Sequence, residues 1–179
     1  GANVTILGGG GITEHLIPLL EPFDCNITVV RNQATPVQGA TTVVARDALH
    51  SVLPSSDLLI LALALTPETI GIISKTELAL LPTDAWLINV ARGGHLVTGD
   101  LVEALQTGSI GGAALDVTDP EPLPNGHPLW SLDNCIITPH IGNTPEMGLP
   151  LLAQRVTENV ERRIAGSSLI GPVDVDLGY

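Results

Sequence analysis

Apolar residues in this chain fall into short unbroken runs, separated by polar or glycine-rich stretches. The runs predict strands over residues 4–7, 27–30, 41–44, 58–63, 86–90, 112–117 and 135–138. They are continuous rather than alternating, which is the pattern of strands buried on both faces. Between them the period changes. Ile12, Leu16, Leu19 and Leu20 recur at helical spacing and predict one face of a first helix. Residues 101–105 form the middle of another helix, which stops near Gly108. Thr66-Pro67-Glu68 and Thr144-Pro145-Glu146 both read as helix starts, with a capping Thr, a Pro in the first turn and an acid for the dipole. The second start predicts a long helix to about Gly166. Together these elements predict an α/β fold: a Rossmann-type, doubly wound parallel sheet with helices on both faces. No repeat or linker interrupts residues 1–166, which read as one domain, and residues 167–179 read as an irregular tail.

Composition narrows the partners. The chain has 179 residues, of which 44% are hydrophobic but only 2% aromatic, so Leu, Ile, Val and Ala must build the core. The net charge is −12, with seven basic residues, which argues against nucleic acid as a partner. The run over residues 58–65 is far too short to cross a membrane. No targeting segment is evident, and a cytoplasmic location is expected. Cys25 and Cys135 fit no metal spacing and read as small buried apolar residues in a reducing compartment; no metal site is expected.

The candidate chemistry begins at the glycines. In a strand–loop–helix context, Gly8 would allow the tight turn and Gly10 would let a pyrophosphate approach the backbone. Gly11 and Ile12 would then present helix N-terminal amides to the phosphates. A flexible glycine turn is the plain alternative. The third glycine of such a fingerprint falls on Thr13, a departure that a β-branched side chain must accommodate. At the end of the second strand, an acid would accept the ribose hydroxyls of NAD. This chain has Arg31 instead, which can pair with a 2′-phosphate, so NADP is favoured over NAD. A solvated strand-end arginine is the alternative. The missing acid also counts against an S-adenosylmethionine-dependent methyltransferase.

Ligands of open α/β sheets bind beyond the carboxyl ends of the strands. Arg92 follows the fifth predicted strand, Glu121 the sixth and His140 the seventh. An arginine suits a carboxylate. A histidine suits proton transfer near neutral pH, and a carboxylate beside it favours its charged form.

Gly8-x-Gly10, Asn89-Val90-Ala91-Arg92-Gly93-Gly94, Leu115-Asp116-Val117-Thr118-Asp119-Pro120-Glu121-Pro122-Leu123-Pro124, His127-Pro128-Leu129-Trp130 and Thr138-Pro139-His140 resemble the D-isomer-specific 2-hydroxyacid dehydrogenases along essentially the whole chain. The resemblance implies a nicotinamide-dependent oxidoreductase acting on small 2-keto or 2-hydroxy acids. It implies that His140 is the general acid/base and that Glu121 hydrogen-bonds it. Arg92 would hold the substrate carboxylate and polarise its carbonyl. Asp116 would lie near the nicotinamide, and Thr66, Pro67, Ala91 and Gly142 would lie along the cofactor. A homodimer is implied too. Ala64 stands where relatives commonly carry Pro, which would loosen that loop, and His95 is assigned no role.

The family also has a substrate-binding domain, mainly from residues ahead of the glycine loop. This chain begins at the first strand and its last residues, 173–179, resemble a natural family end. The expectation is therefore a nucleotide-binding domain alone, with the substrate domain absent and activity nearly lost for want of the second wall of the site. A non-catalytic NAD(P)-sensing regulatory or corepressor module of the same fold is the alternative.

Overall fold

The computed structural model describes residues 1–175 and carries all seven strands: β1 (Asn3–Leu7), β2 (Asn26–Arg31), β3 (Thr42–Ala45), β4 (Leu58–Leu61), β5 (Trp86–Asn89), β6 (Gly112–Leu115) and β7 (Cys135–Ile137). They form one parallel sheet in the order β3-β2-β1-β4-β5-β6-β7. The helices are α1 (Gly11–Leu20), α2 (Leu49–Val52), α3 (Lys75–Leu78), α4 (Thr98–Thr107) and α5 (Pro145–Ile164). The chain winds outward from β1 to β3, then returns past it to β4. This makes the carboxyl ends of β1 and β4 the switch point of the sheet.

The inner strands are buried on both faces, as their continuous apolar runs require, whereas the edge strands β3 and β7 are only partly covered and Ile136 is 55% exposed. On one face Leu7, Leu59, Leu61, Leu87 and Leu115 pack with Leu49, Leu78, Leu101 and Leu105 from α2, α3 and α4. On the other, Val4, Ile6, Val29 and Ile60 pack with Ile17 of α1 and with Val37. Packing divides the chain into two units, residues 1–139 and 140–175 of those described. The second holds α5, whose last turns are tied to the following segment by the Asn159 side chain, bonded to both backbone groups of Ile170. That segment lacks regular structure as far as residue 175; residues 176–179, part of the expected family-like end, lie outside the described residues.

Three expectations need correction. The buried residues of α1 are Thr13 and Ile17, whereas Ile12 and Leu19 are exposed. The glycine loop fixes where α1 begins, and that phase turns the 13/17 stripe to the sheet. Thr66-Pro67-Glu68 opens no α-helix. The Thr69 hydroxyl accepts from the Thr66 amide and donates to the Ala64 carbonyl, closing a single turn. Gly71, at φ +61°, then leads the chain away, and the amides of Gly71 and Ile73 bond to Gly94 and His95 instead of to a helix. Cys25 and Cys135 are only half-buried, and both thiols are free.

Candidate functional site

The glycine loop sits at the switch point. Gly8 has φ +107°, and a Cβ there would lie 2.1 Å from the Ala62 carbonyl oxygen, so both conformation and space demand glycine. A Cβ on Gly10 or Gly11 would meet nothing within 4 Å. The backbone is therefore bare to open space, as a phosphate cradle requires, and α1 starts there without a side-chain cap on its amides. Thr13 is fully buried, and its hydroxyl donates to the Gly8 carbonyl at 2.7 Å. The β-branched residue at the third fingerprint position thus braces the loop from within.

Arg31, the last residue of β2, lies against this loop: a Cβ on Gly9 would stand 3.1–3.3 Å from its Cδ, Nε and Cζ. Beyond β4, Thr66 and Pro67 belong to the turn closed by Thr69. Ala64 leaves that loop anything but loose, since its carbonyl is bonded by Thr69 and that of Leu63 by His95 Nε2 at 3.1 Å.

Arg92 is held through its backbone. Asn89, polar and fully buried at the end of β5, donates from Nδ2 to the Arg92 carbonyl at 3.0 Å. Its Oδ1 accepts from the Ala91 amide, also at 3.0 Å. The Arg92 guanidinium is exposed and donates from Nη1 to the Ala91 carbonyl. Gly93 crosses the loop beyond β6 so closely that a Cβ would lie 2.0 Å from the Thr118 carbonyl oxygen. That second loop carries Glu121. Its Oε2 accepts from the Thr118 amide at 3.3 Å, and the loop is tied to α4 by the Thr98 hydroxyl on the Asp119 carbonyl. The structure thus brings the Arg92 and Glu121 loops into backbone contact. Asp116, just past β6, accepts from the Thr138 hydroxyl at 2.5 Å.

His140 and Gly142 stand in the second unit. His140 adopts φ +54°, a left-handed conformation that costs a non-glycine residue of order 1 kcal/mol or more. Such strain persists where surroundings impose it and is common at functional positions.

Electrostatics single out two cations of the first unit. Arg46 pairs with Glu68 at 2.8 Å and Lys75 with Glu103 at 2.6 Å. Among the described residues Arg31 and Arg92 form no ion pair, in a chain of net charge −12. His95 is completely buried; burial, then the nearby Arg92 charge, lower its pKa. Burial pushes the Cys135 thiol up to about 11. No cluster of metal-ligating groups occurs among the described residues, and none of their helices is long and apolar enough to cross a membrane. Sequence reasoning missed Asn89 and His95. The available signal was a polar side chain at the end of an apolar strand and a histidine directly before Leu96-Val97.

Residues 1–142 match the family model described as "D-isomer specific 2-hydroxyacid dehydrogenase, NAD binding domain". An uncharacterized protein in the proB 3′ region of Corynebacterium melassecola is 44% identical over 99% of this chain and 58% of its own length. Glyoxylate/hydroxypyruvate reductase A of Yersinia enterocolitica is 34% identical over 99% of this chain and 56% of its own. The chain therefore spans little more than half the length of these curated relatives. A D-isomer-specific 2-hydroxyacid dehydrogenase of Xanthobacter autotrophicus Py2, solved with NADPH and MES, superposes with a TM-score of 0.90 at 34% identity, covering 99% of this chain and 73% of that one.

Proposed function

This chain belongs to the D-isomer-specific 2-hydroxyacid dehydrogenase family, and from that premise we propose that it is the cofactor-binding part of a reductase that transfers a hydride between NADP and a small 2-keto or 2-hydroxy acid. One observation carries the reading: among the described residues, the two cations of the first unit that form no ion pair are Arg31, lying over the bare glycine loop, and Arg92, presented beyond β5 by Asn89. One suits a 2′-phosphate and the other a carboxylate.

The residues present fit a dinucleotide. Gly10, Gly11 and Ile12 would receive the pyrophosphate at the start of α1, with Arg31 on the ribose phosphate. Thr66, Pro67, Ala91, Asp116 and Gly142 would line the rest. When bound, the nicotinamide supplies the hydride. Arg92 orients the acid by its carboxylate and polarises the carbonyl to be reduced. His140 gives the proton that the new alkoxide takes up, and Glu121 takes the family's role as its hydrogen-bonding partner. The family's motif order supports these roles. Shared ancestry likewise supports a homodimer, and two free thiols support a reducing, cytoplasmic setting.

A thermal melt tests the reading. NADP should raise the melting temperature, by an amount equivalent to roughly 2.7 kcal/mol at a hundredfold excess over Kd. Glyoxylate should add to it only when NADP is present, and Arg92→Ala should remove the increment from the acid alone. No response to NADP would contradict the assignment.

A further inference from the structure

His95 is absent from the chemistry just described, yet among the described residues it is one of the largest fully buried side chains, and its Nδ1 meets no hydrogen-bond partner there. Its other nitrogen, Nε2, lies 3.1 Å from the Leu63 carbonyl oxygen. Only one protonation state suits these surroundings. With hydrogen on Nε2, the ring donates to Leu63 and leaves a bare lone pair at Nδ1. With hydrogen on Nδ1, a buried N–H would be orphaned and two lone pairs would face each other. A proton on both would place an unsolvated cation near Arg92, in keeping with the lowered pKa.

The bond lies between two loops. The segment from Leu63 to Ile73 is clamped to the segment from Arg92 to Val97 at two other points. The Gly71 amide donates to Gly94, and Ile73 exchanges bonds with His95 and Val97 backbone groups. Those clamps are backbone to backbone and survive any side-chain change. At the Leu63 end, nearest β4 and the switch point, Thr69 and Ile70 bond from within the same turn, and among the described residues the His95 ring is the hydrogen-bonding group that reaches it from the Arg92 loop.

The geometry points to His95 as a positioning residue: a neutral Nε2–H donor that fixes the Leu63–Thr66 stretch to the Arg92 loop. The wall along the cofactor and the arginine that grips the acid are then held in one register. This deepens the function proposed above and rests on it.

The test compares three forms of the full chain: wild type, His95→Gln, which keeps an N–H donor at similar reach, and His95→Leu, which keeps the bulk and loses the donor. Two readouts are taken well below each melting temperature. For NADPH binding, the expected result is wild-type affinity in His95→Gln and about tenfold weaker binding in His95→Leu, the worth of one buried hydrogen bond. For amide exchange, Thr66 and Thr69 should speed up by a similar factor in His95→Leu only, with Gly71 and Ile73 unchanged.

A structural filler would instead speed all four amides together and leave Gln as impaired as Leu, which overturns the inference. Wild-type affinity in a folded His95→Leu overturns it too. If wild type itself fails to bind NADPH, the functional reading falls, and the exchange pattern still decides whether the tether exists.

Discussion

Gly93 and Thr118 touch backbone to backbone: a Cβ on Gly93 would stand 2.0 Å from the Thr118 carbonyl oxygen and 2.6 Å from the Asp119 amide nitrogen. This crossing joins the loop bearing Arg92 to the loop bearing Glu121. Neither neighbour can yield as a flexible side chain would, because both are backbone. Gly93→Ala should therefore cost about 1–3 kcal/mol, in the range of overpacked sites. Urea unfolding would show it as a lower midpoint at unchanged slope. An unchanged midpoint would mean that the loops part without penalty.

Asn89 satisfies one donor and one acceptor of the Arg92 loop from a fully buried position. Asn89→Leu unpairs the Ala91 amide, at about 1–3 kcal/mol for a group shut off from water, and leaves the Arg92 carbonyl with the His95 amide alone. The change should also release Arg92. In the melting assay, the NADP-dependent increment from glyoxylate should fall while the shift from NADP itself stays. Equal loss of both shifts would assign Asn89 to the fold alone.

Thr13 braces the glycine loop by its hydroxyl on the Gly8 carbonyl. Thr13→Val keeps the shape and orphans that carbonyl. A loss of about 1 kcal/mol is expected, with weaker NADPH binding. Thr13→Ser should retain the bond and most of the affinity. If Val binds as well as wild type, the hydroxyl has no part in holding the loop.

Acid should lower the stability of the protein in two stages, through His95 and then Glu77. His95 has a folded pKa below its ordinary 6.5. As pH falls through that value, the unfolded chain takes up a proton that the folded chain resists, so stability declines. Glu77 acts lower. Burial alone would raise its carboxyl, but bonds from the Ser74 hydroxyl and amide and from His50 outweigh it and hold it below the ordinary 4.5. Its contribution is complete above that pH and is lost as pH falls further. His95→Gln should flatten the upper stage and Glu77→Gln the lower, in denaturation curves taken between pH 7 and 3.5. Coincident loss of both stages in either variant would contradict the separation.

Much of the fold was legible because unbroken apolar runs have few ways to be buried: all seven strands lie where those runs fall. The glycine loop was legible for a related reason, since only glycine tolerates the conformation and crowding at Gly8. Local signals failed where the decisive partner lay far away in sequence. Thr66-Pro67-Glu68 has every mark of a helix start, yet Gly94 and His95 claim the amides that follow. Ile12 and Leu19 fit a helical face, yet the loop before α1 turns a threonine inward in their place. His95 drew no role because its partner, the Leu63 carbonyl, is 32 residues away and carries no sequence signature.

The central claim is a working NADP site built on the glycine loop and Arg31. Calorimetric titration of the chain with NADPH and NADH, for wild type and Arg31→Asp, tests it most directly. Wild type should bind NADPH more tightly than NADH, by about 1.5–3 kcal/mol or roughly 10- to 100-fold, the worth of charge-assisted bonds to a phosphate. Arg31→Asp should erase or reverse the preference. Equal affinity for the two nucleotides in wild type, or a preference untouched by Arg31→Asp, would contradict the account.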